Sequence, residues 1–316
     1  MKSFAFVFPG QGSQSVGMLN GWGDHPAVMQ TLQEAADAMG EDIGKLIREG
    51  PKEALALTTN SQPVMLIAGV AAYRAWRAEG GAVPAVVAGH SLGEYSSLVA
   101  SGVLTLAQAA PLVRYRAQAM QEAVPVGAGT MVAILGLGAQ QVIEGCAQAV
   151  RGFGVNTLEV VEAVNFNDPA QTVIAGSKAA VDRACELLMA AGAKRALPLT
   201  VSAPFHSSLM QPAAEKLREK LAAITFAAPQ IPVINNVEVK VETEPDRIRA
   251  ALYEQAFGPV RWVESVRAIK SRGIATLVEC GPGKVLAKMV KRIDHDLSGI
   301  ALYDMATLAE AKGLLA

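Results

Sequence analysis

The sequence predicts an α/β fold: a large domain organised around a strand–turn–helix elbow, with a small ferredoxin-like subdomain inserted into it. Three observations lead there. The first is the stretch Gly89-His90-Ser91-Leu92-Gly93. An apolar run suited to a buried strand precedes it at 85–88, and Tyr95, Leu98 and Val99 follow at helical spacing. A serine between two glycines at such a junction is the nucleophile-elbow pattern, where side chains at the flanking positions would not fit. The second is a change of pattern after Pro125-Val126-Gly127-Ala128-Gly129. Beyond it, 131–135 reads as a strand, 139–150 as a helix, 158–166 and 172–175 as strands, 179–191 as a helix and 196–201 as a strand. That β-α-β-β-α-β order is the ferredoxin-like unit. The third is composition. The chain has 316 residues, 51% hydrophobic and only 18% charged, which fills a large core and leaves little for disorder. The subdomain is therefore expected over 128–198, with 1–127 and 199–316 forming the large domain.

Composition also excludes several classes. The formal net charge is -1, so no global field draws the protein to nucleic acid or to a membrane surface. The longest apolar stretches, such as 64–72, are too short to span a bilayer, and the apolar start is too short for a signal peptide. Cys146, Cys185 and Cys280 are far apart, give no metal-ligand spacing and suggest no disulfide framework. Buried, reduced thiols in a cytoplasmic protein are the expectation.

In chain order, residues 4–8 read as a buried strand that empties into the glycine-rich loop Pro9-Gly10-Gln11-Gly12-Ser13-Gln14. No Lys-Ser/Thr pair follows those glycines, so a phosphate loop is excluded. Helical pieces are expected over 26–49. Ser61-Gln62-Pro63 reads as the opening of a long helix, with Ser61 capping and the proline in the first turn. After the elbow, a helix over about 105–122 carries Arg114 and Arg116. Beyond the subdomain, helices are expected over 213–223, 245–256 and 262–272, with strands at 233–234 and 276–280. Gly281-Pro282-Gly283-Lys284 then turns into what reads as the last helix.

A serine hydroxyl needs a base to attack at neutral pH. The sequence offers four histidines. His90 lies inside the tight turn, where adjacent side chains diverge. His25 and His295 sit in polar segments and read as surface residues. His206, after Pro204-Phe205, is placed on a loop that could bring an imidazole over Ser91. No acid is obvious for a triad, because Asp168 and Asp182 fall in the predicted subdomain; a carbonyl or amide could orient the base instead. Arg116 lies among Leu112, Val113 and Met120. It either snorkels to solvent or forms a bidentate clamp for a carboxylate. Lys284, Lys288, Lys291 and Arg292 share one helix face, a solvated stripe or a landing place for an acidic partner.

Together these motifs resemble the bacterial malonyl-coenzyme A:acyl carrier protein transacylases of type II fatty acid synthesis. The resemblance runs nearly end to end. It rests on Phe8-Pro9-Gly10-Gln11-Gly12-Ser13-Gln14, Gly89-His90-Ser91-Leu92-Gly93-Glu94-Tyr95, and Arg116 with Met120-Gln121-Glu122-Ala123-Val124-Pro125. It continues through Val164-Asn165-Phe166-Asn167, Pro204-Phe205-His206 and Gly281-Pro282-Gly283-Lys284. The resemblance implies an α/β-hydrolase-like large domain with the small subdomain over the active site. It implies that Ser91 carries malonate as an ester, that His206 is its base, and that the N–H groups of Gln11 and Leu92 form the oxyanion hole. It further implies that Arg116 pairs with the malonyl carboxylate, that the backbone carbonyl of Gln255 orients His206, and that Asn167 supports the site. Phe205 resembles the malonyl-selective relatives. Malonyl-coenzyme A is then a substrate, acyl carrier protein the partner, and no cofactor or metal is expected. Nothing calls for more than a monomer. The alternatives are a serine esterase or thioesterase on the same elbow, against which Arg116 and the missing acid speak, and a non-catalytic carrier-binding module.

Overall fold

The computed structural model describes residues 2–201 and 203–316. The first strand, β1 (Phe4–Phe8), is buried along its whole length and sits in the middle of a five-stranded sheet. Four helices follow: α1 (Pro26–Met39), α2 (Ile43–Glu49), α3 (Lys52–Ala56) and α4 (Thr58–Ala78). Strand β2 (Val86–Gly89), helix α5 (Gly93–Ala100) and helix α6 (Leu106–Glu122) build the elbow and its flank. The inserted unit comprises β3 (Gly129–Leu135), α7 (Ala139–Arg151), β4 (Val161–Asp168), β5 (Gln171–Ser177), α8 (Lys178–Ala190) and β6 (Arg195–Pro198). The chain returns through α9 (Gln211–Ala222), β7 (Val233–Ile234), α10 (Pro245–Gln255), α11 (Trp262–Ser271), β8 (Thr276–Cys280), α12 (Val285–Ile293), β9 (Ser298–Leu302) and α13 (Met305–Leu315).

The large sheet has the order β7-β2-β1-β8-β9, and every pairing in it is parallel. Parallel sheets are covered on both faces, and β1 shows how. Phe4, Phe6 and Phe8 point to one side, where the three rings meet Tyr73 or Trp76 of α4 edge to face. Ala5 and Val7 point to the other side, into a core with Val266 and Ile269 of α11 and Leu286 and Val290 of α12. The second sheet is antiparallel with the order β4-β5-β3-β6, as the ferredoxin-like reading requires. Its own core lies under α7 and α8 around Ile134, Val142 and Ile174. Several links join it to the large domain, among them one backbone pairing and one ion pair. Val260 pairs its backbone with Val164 and Phe166 of β4, and Arg292 of α12 reaches Asp168 at 3.2 Å.

Three expectations are corrected. Helix α4 starts at Thr58, and Pro63 lies inside it rather than in its first turn. Leu57 caps the helix, and its carbonyl accepts the N–H groups of Asn60 and Ser61 at 2.9 and 2.7 Å. The extra turn makes Gln62 a buried interior residue. His25 is not a surface residue: it is 9% exposed, caps α1 through Nδ1 and contacts Glu79 and Trp22. The helix after Lys284 is not the last, since β9 and α13 follow it. Smaller shifts occur in the insert, where β4 begins at Val161 because Leu158 is exposed in the preceding loop, and β6 ends at Pro198.

The elbow packs so closely on β1 that its glycines have no alternative. A Cβ on Gly93 would lie 2.0 Å from the Phe8 carbonyl oxygen, and one on Gly89 would lie 1.9 Å from the Gly93 carbonyl carbon. Both obstacles are backbone and cannot swing away. Gly93→Ala should therefore cost about 3 kcal/mol or more of folding free energy. A drop in the denaturant midpoint at unchanged slope would report it; an unshifted midpoint would show that the elbow can relax.

Candidate active site

Ser91 has φ of 53°, a left-handed conformation that strains a residue with a side chain by about 1–3 kcal/mol. Neighbouring groups hold it there. The Ser91 N–H donates to Asn236 Oδ1 at 2.7 Å, and Asn236 Nδ2 donates to the Gly89 carbonyl at 2.6 Å. Asn236 follows the short strand β7, which pairs with β2, so the sheet register brings this side chain under the turn. The Ser91 hydroxyl is thereby lifted into a cavity of about 400 Å³. Residues of the large domain line one wall of the cavity, and Met131 and Asn165 of the small one, with the 199–201 segment that follows it, line the other.

His206 enters from the turn that follows the insert. It too is left-handed, with φ of 65°, and it is 4% exposed. Its Nδ1 lies 2.9 Å from the Gln255 carbonyl oxygen. A carbonyl can only accept, so Nδ1 carries the proton and Nε2 presents its lone pair. That lone pair faces Ser91 Oγ at 2.6 Å. Burial first, and the nearby Arg116 charge second, hold the imidazole down to about 3 from its usual 6.5. The base is therefore neutral without a carboxylate behind it. Asp168 and Asp182 are engaged elsewhere, with Arg292 and with Lys178.

Arg116 does not snorkel. It is 1% exposed, on the face of α6 turned toward the cavity. Its Nη1 donates to Gln62 Oε1 at 2.5 Å, and its Nη2 donates to Gln255 Oε1 at 2.9 Å and reaches Ser91 Oγ at 3.4 Å. The Tyr95 ring lies 5.4 Å from the guanidinium carbon. Both strong acceptors are neutral amides, so the positive charge has no direct carboxylate partner, and Nε has no acceptor among the described residues. A buried guanidinium with free donors in a cavity wall is built to receive an anion. Glu94 is a buried carboxyl whose charge bears on Arg116. Its Oε2 accepts from Asn236 N and Gln255 Nε2, both at 3.0 Å, yet burial still pushes its pKa up to about 7.

The cavity brings together Gln11, Ser91, Leu92, Arg116 and His206. Among the described residues, the backbone N–H groups of Gln11 and Leu92 have no protein acceptor. Gln255 stands behind the cavity and acts through both its carbonyl and its side chain. Asn167 does not line the cavity: its Oδ1 meets His90 Nε2 at 2.8 Å and backs the elbow from behind. Asn165, two residues earlier on β4, faces the cavity instead, with Oδ1 unpartnered among the described residues. The basic stripe of α12 is partly engaged, since Arg292 pairs with Asp168 and Lys284 lies over the Tyr303 ring. Sequence reasoning missed Gln62, Asn236, Glu94 and Asn165. Gln62 was hidden by the misplaced helix start. Glu94 and Asn165 stood inside quoted motifs without a role, and Asn235-Asn236, a polar pair directly after a strand, was the signal for Asn236.

A serine hydroxyl against a neutral imidazole, with a buried cation beside it, suits acyl transfer through an ester, and the class this cavity fits is that of serine-dependent acyltransferases. The family described as acyl transferase domain matches residues 5–309, and the chain belongs to it. The chain is 51% identical over 312 residues to the malonyl CoA-acyl carrier protein transacylase of Escherichia coli (strain K12), covering 98% of this chain and 99% of that one. It is similar to the crystal structure of the acyl-carrier-protein S-malonyltransferase of Burkholderia pseudomallei 1710b, with a TM-score of 0.95, 59% identity and coverage of 98% and 99%. It is also similar to a malonyl-transacylase solved in complex with its type II PKS acyl-carrier protein, with a TM-score of 0.94, 48% identity and coverage of 98% and 99%. No helix among the described residues is long and apolar enough to cross a membrane.

The depressed His206 pKa sets a pH dependence. The rate of Ser91 acylation, read as kcat/KM, should hold steady as pH falls through 6.5 and decline only well below it, toward about 3. Stability follows the same sign. The unfolded imidazole takes up a proton near 6.5 while the folded one resists, so this contribution is complete above 6.5 and fades as pH falls toward about 3. An acid limb centred at 6.5 in a kcat/KM profile would mean that His206 is not held neutral.

Proposed function

We propose that the protein moves the malonyl group from malonyl-coenzyme A to the phosphopantetheine thiol of acyl carrier protein, through an ester on Ser91. The observation that carries this reading is the pairing of the Ser91–His206 contact, 2.6 Å long, with a buried arginine 3.4 Å from the same hydroxyl.

The steps follow from the geometry. The thioester carbonyl sits over Ser91 with its oxygen toward the N–H groups of Gln11 and Leu92. Ser91 Oγ attacks the carbonyl carbon as His206 Nε2 takes the hydroxyl proton. The two N–H groups stabilise the charge that develops on oxygen. The intermediate collapses, the C–S bond breaks, and the imidazolium returns the proton to the departing coenzyme A thiol. The carrier's thiol then attacks the Ser91 ester as His206 takes its proton, the C–O bond to Ser91 breaks, and the proton is returned to the departing Oγ. Each half-reaction is balanced by one proton and needs no cofactor, with malonyl-coenzyme A entering as a substrate. The Gln255 carbonyl keeps the proton on Nδ1 throughout and stabilises the transient imidazolium. The malonyl carboxylate pairs with Arg116, whereas an acetyl group would leave that charge without a partner. The free thiols of Cys146, Cys185 and Cys280 and the reliance on acyl-coenzyme A fit a cytoplasmic enzyme of fatty acid synthesis.

The test is direct. Intact-protein mass spectrometry after malonyl-coenzyme A should show one malonyl adduct, absent in Ser91→Ala, and added carrier protein should remove it and acquire the malonyl group. Release of free malonate without malonyl-carrier would identify a thioesterase instead. Arg116→Ala should lower kcat/KM for malonyl-coenzyme A by about 10–100-fold while narrowing the gap to acetyl-coenzyme A. An unchanged ratio between the two donors would remove the arginine from the recognition of malonate.

A further inference from the structure

Glu94 is buried to 2% exposure directly beneath the elbow, and no step of the transfer uses it. Its surroundings show what it controls. The Gln255 side-chain amide donates from Nε2 to two acceptors, the Ser91 carbonyl at 2.9 Å and Glu94 Oε2 at 3.0 Å. Both hydrogens of that amide are engaged, so Gln255 Oε1 is left to face Arg116 Nη2, at 2.9 Å. The opposite rotamer would aim the amide hydrogens at the guanidinium and the oxygen at a carbonyl and a carboxylate. An oxygen that takes two N–H groups is a one-sided acceptor whether or not Glu94 is ionised, since any proton would sit on Oε1. The same Oε2 also takes the Asn236 N–H, and Asn236 in turn holds Ser91 N and the Gly89 carbonyl. One buried oxygen therefore holds the Gln255 side chain and the Asn236 backbone, the two residues that grip the elbow from outside α5.

We propose that Glu94 is a positioning residue for malonyl recognition: by fixing the Gln255 amide it aims the Arg116 guanidinium at the acyl carboxylate. The inference rests on the malonyl-transfer reading above. It goes beyond that reading in making selectivity depend on a residue that does not touch the substrate. Gln62 Oε1 holds the other end of the guanidinium, so with the Gln255 amide released Arg116 pivots about Nη1. A purely structural glutamate would lower stability and leave the choice between charged and neutral acyl groups alone.

The experiment compares Glu94→Ala and Glu94→Gln with the unaltered enzyme in single-turnover acylation of Ser91 by malonyl- and by acetyl-coenzyme A, scored by adduct mass on folded protein. Unaltered enzyme that takes no malonyl adduct would defeat the malonyl-transfer reading itself, a separate outcome. Given that adduct, Glu94→Ala should lower the malonyl-to-acetyl rate ratio by about 10-fold or more. Glu94→Gln, whose amide oxygen can still accept both N–H groups, should recover most of that ratio. Should Glu94→Ala fail to fold, Gln255→Met, which removes the amide and keeps the backbone carbonyl, should lower the ratio in the same way. An unchanged ratio in the folded alanine variant, or in Gln255→Met where the alanine variant does not fold, overturns the proposal. So does a Glu94→Gln variant no better than Glu94→Ala.

Discussion

The close approach of the elbow to the end of β1 is the constraint on which the site depends. Gly93 lies against the Phe8 carbonyl, so α5 starts within contact of the central strand. The His90 N–H donates to that same carbonyl at 2.9 Å, which ties the turn to the strand end. Where β1 stops, Pro9 and Gly10 carry the chain past the elbow, and Gln11 arrives at the cavity beside Leu92. The two N–H groups that would receive an oxyanion thus come from adjacent parallel strands. Parallel sheets bring such loops together at the carboxyl ends of their strands, where α/β proteins build sites. Ser91 keeps its left-handed conformation because Asn236 and Gln255 bond its N–H and its carbonyl from outside the turn.

A second constraint is electrostatic. Burying Arg116 without a carboxylate at contact is costly, and the structure offsets that cost with amide oxygens, an aromatic face and a glutamate one shell away. The same positive charge helps to keep His206 neutral. The cation and the imidazole are therefore coupled: the buried charge of Arg116 adds to burial in keeping the His206 ring an acceptor. An acid behind His206, as in a hydrolase triad, would raise the imidazole pKa and place a competing anion near the arginine. A backbone carbonyl orients the ring with less of either effect.

The sequence made the two sheets legible because their signals are local. A buried five-residue strand, a Gly-x-Ser-x-Gly turn and an alternation of short strands with amphipathic helices each speak within about a dozen residues. The elements that went astray were those whose signals conflict or are weak. Pro63 reads as a helix start, yet a proline in the second turn removes one N–H and leaves the rest of the helix intact. Strand β9 contains Ser298 and Gly299 and lies at a sheet edge, so neither its composition nor its burial marks it. Helix α13 did carry a signal, the Asp304–Thr307 capping box, outside the motifs that drew attention.

Within the site, legibility followed chemistry rather than geometry. Ser91, His206 and Arg116 are residue types whose reactivity or charge demands an explanation wherever they occur. Gln62 and Asn236 are neutral amides, unremarkable in a sequence, and they matter only because tertiary structure buries them with a partner. Their contacts span 54 residues from Gln62 to Arg116 and 145 from Ser91 to Asn236, beyond any periodicity or spacing rule. Gln255 shows the limit most clearly. Its backbone carbonyl entered through family resemblance alone, while its side chain joins Ser91, Glu94 and Arg116 in a single amide. An amide has a donor end and an acceptor end, so it converts the order of its neighbours into a direction. Here it places the Ser91 carbonyl and the Glu94 carboxyl on one side and the Arg116 guanidinium on the other, and that polarity holds a buried charge in one orientation at the cavity wall.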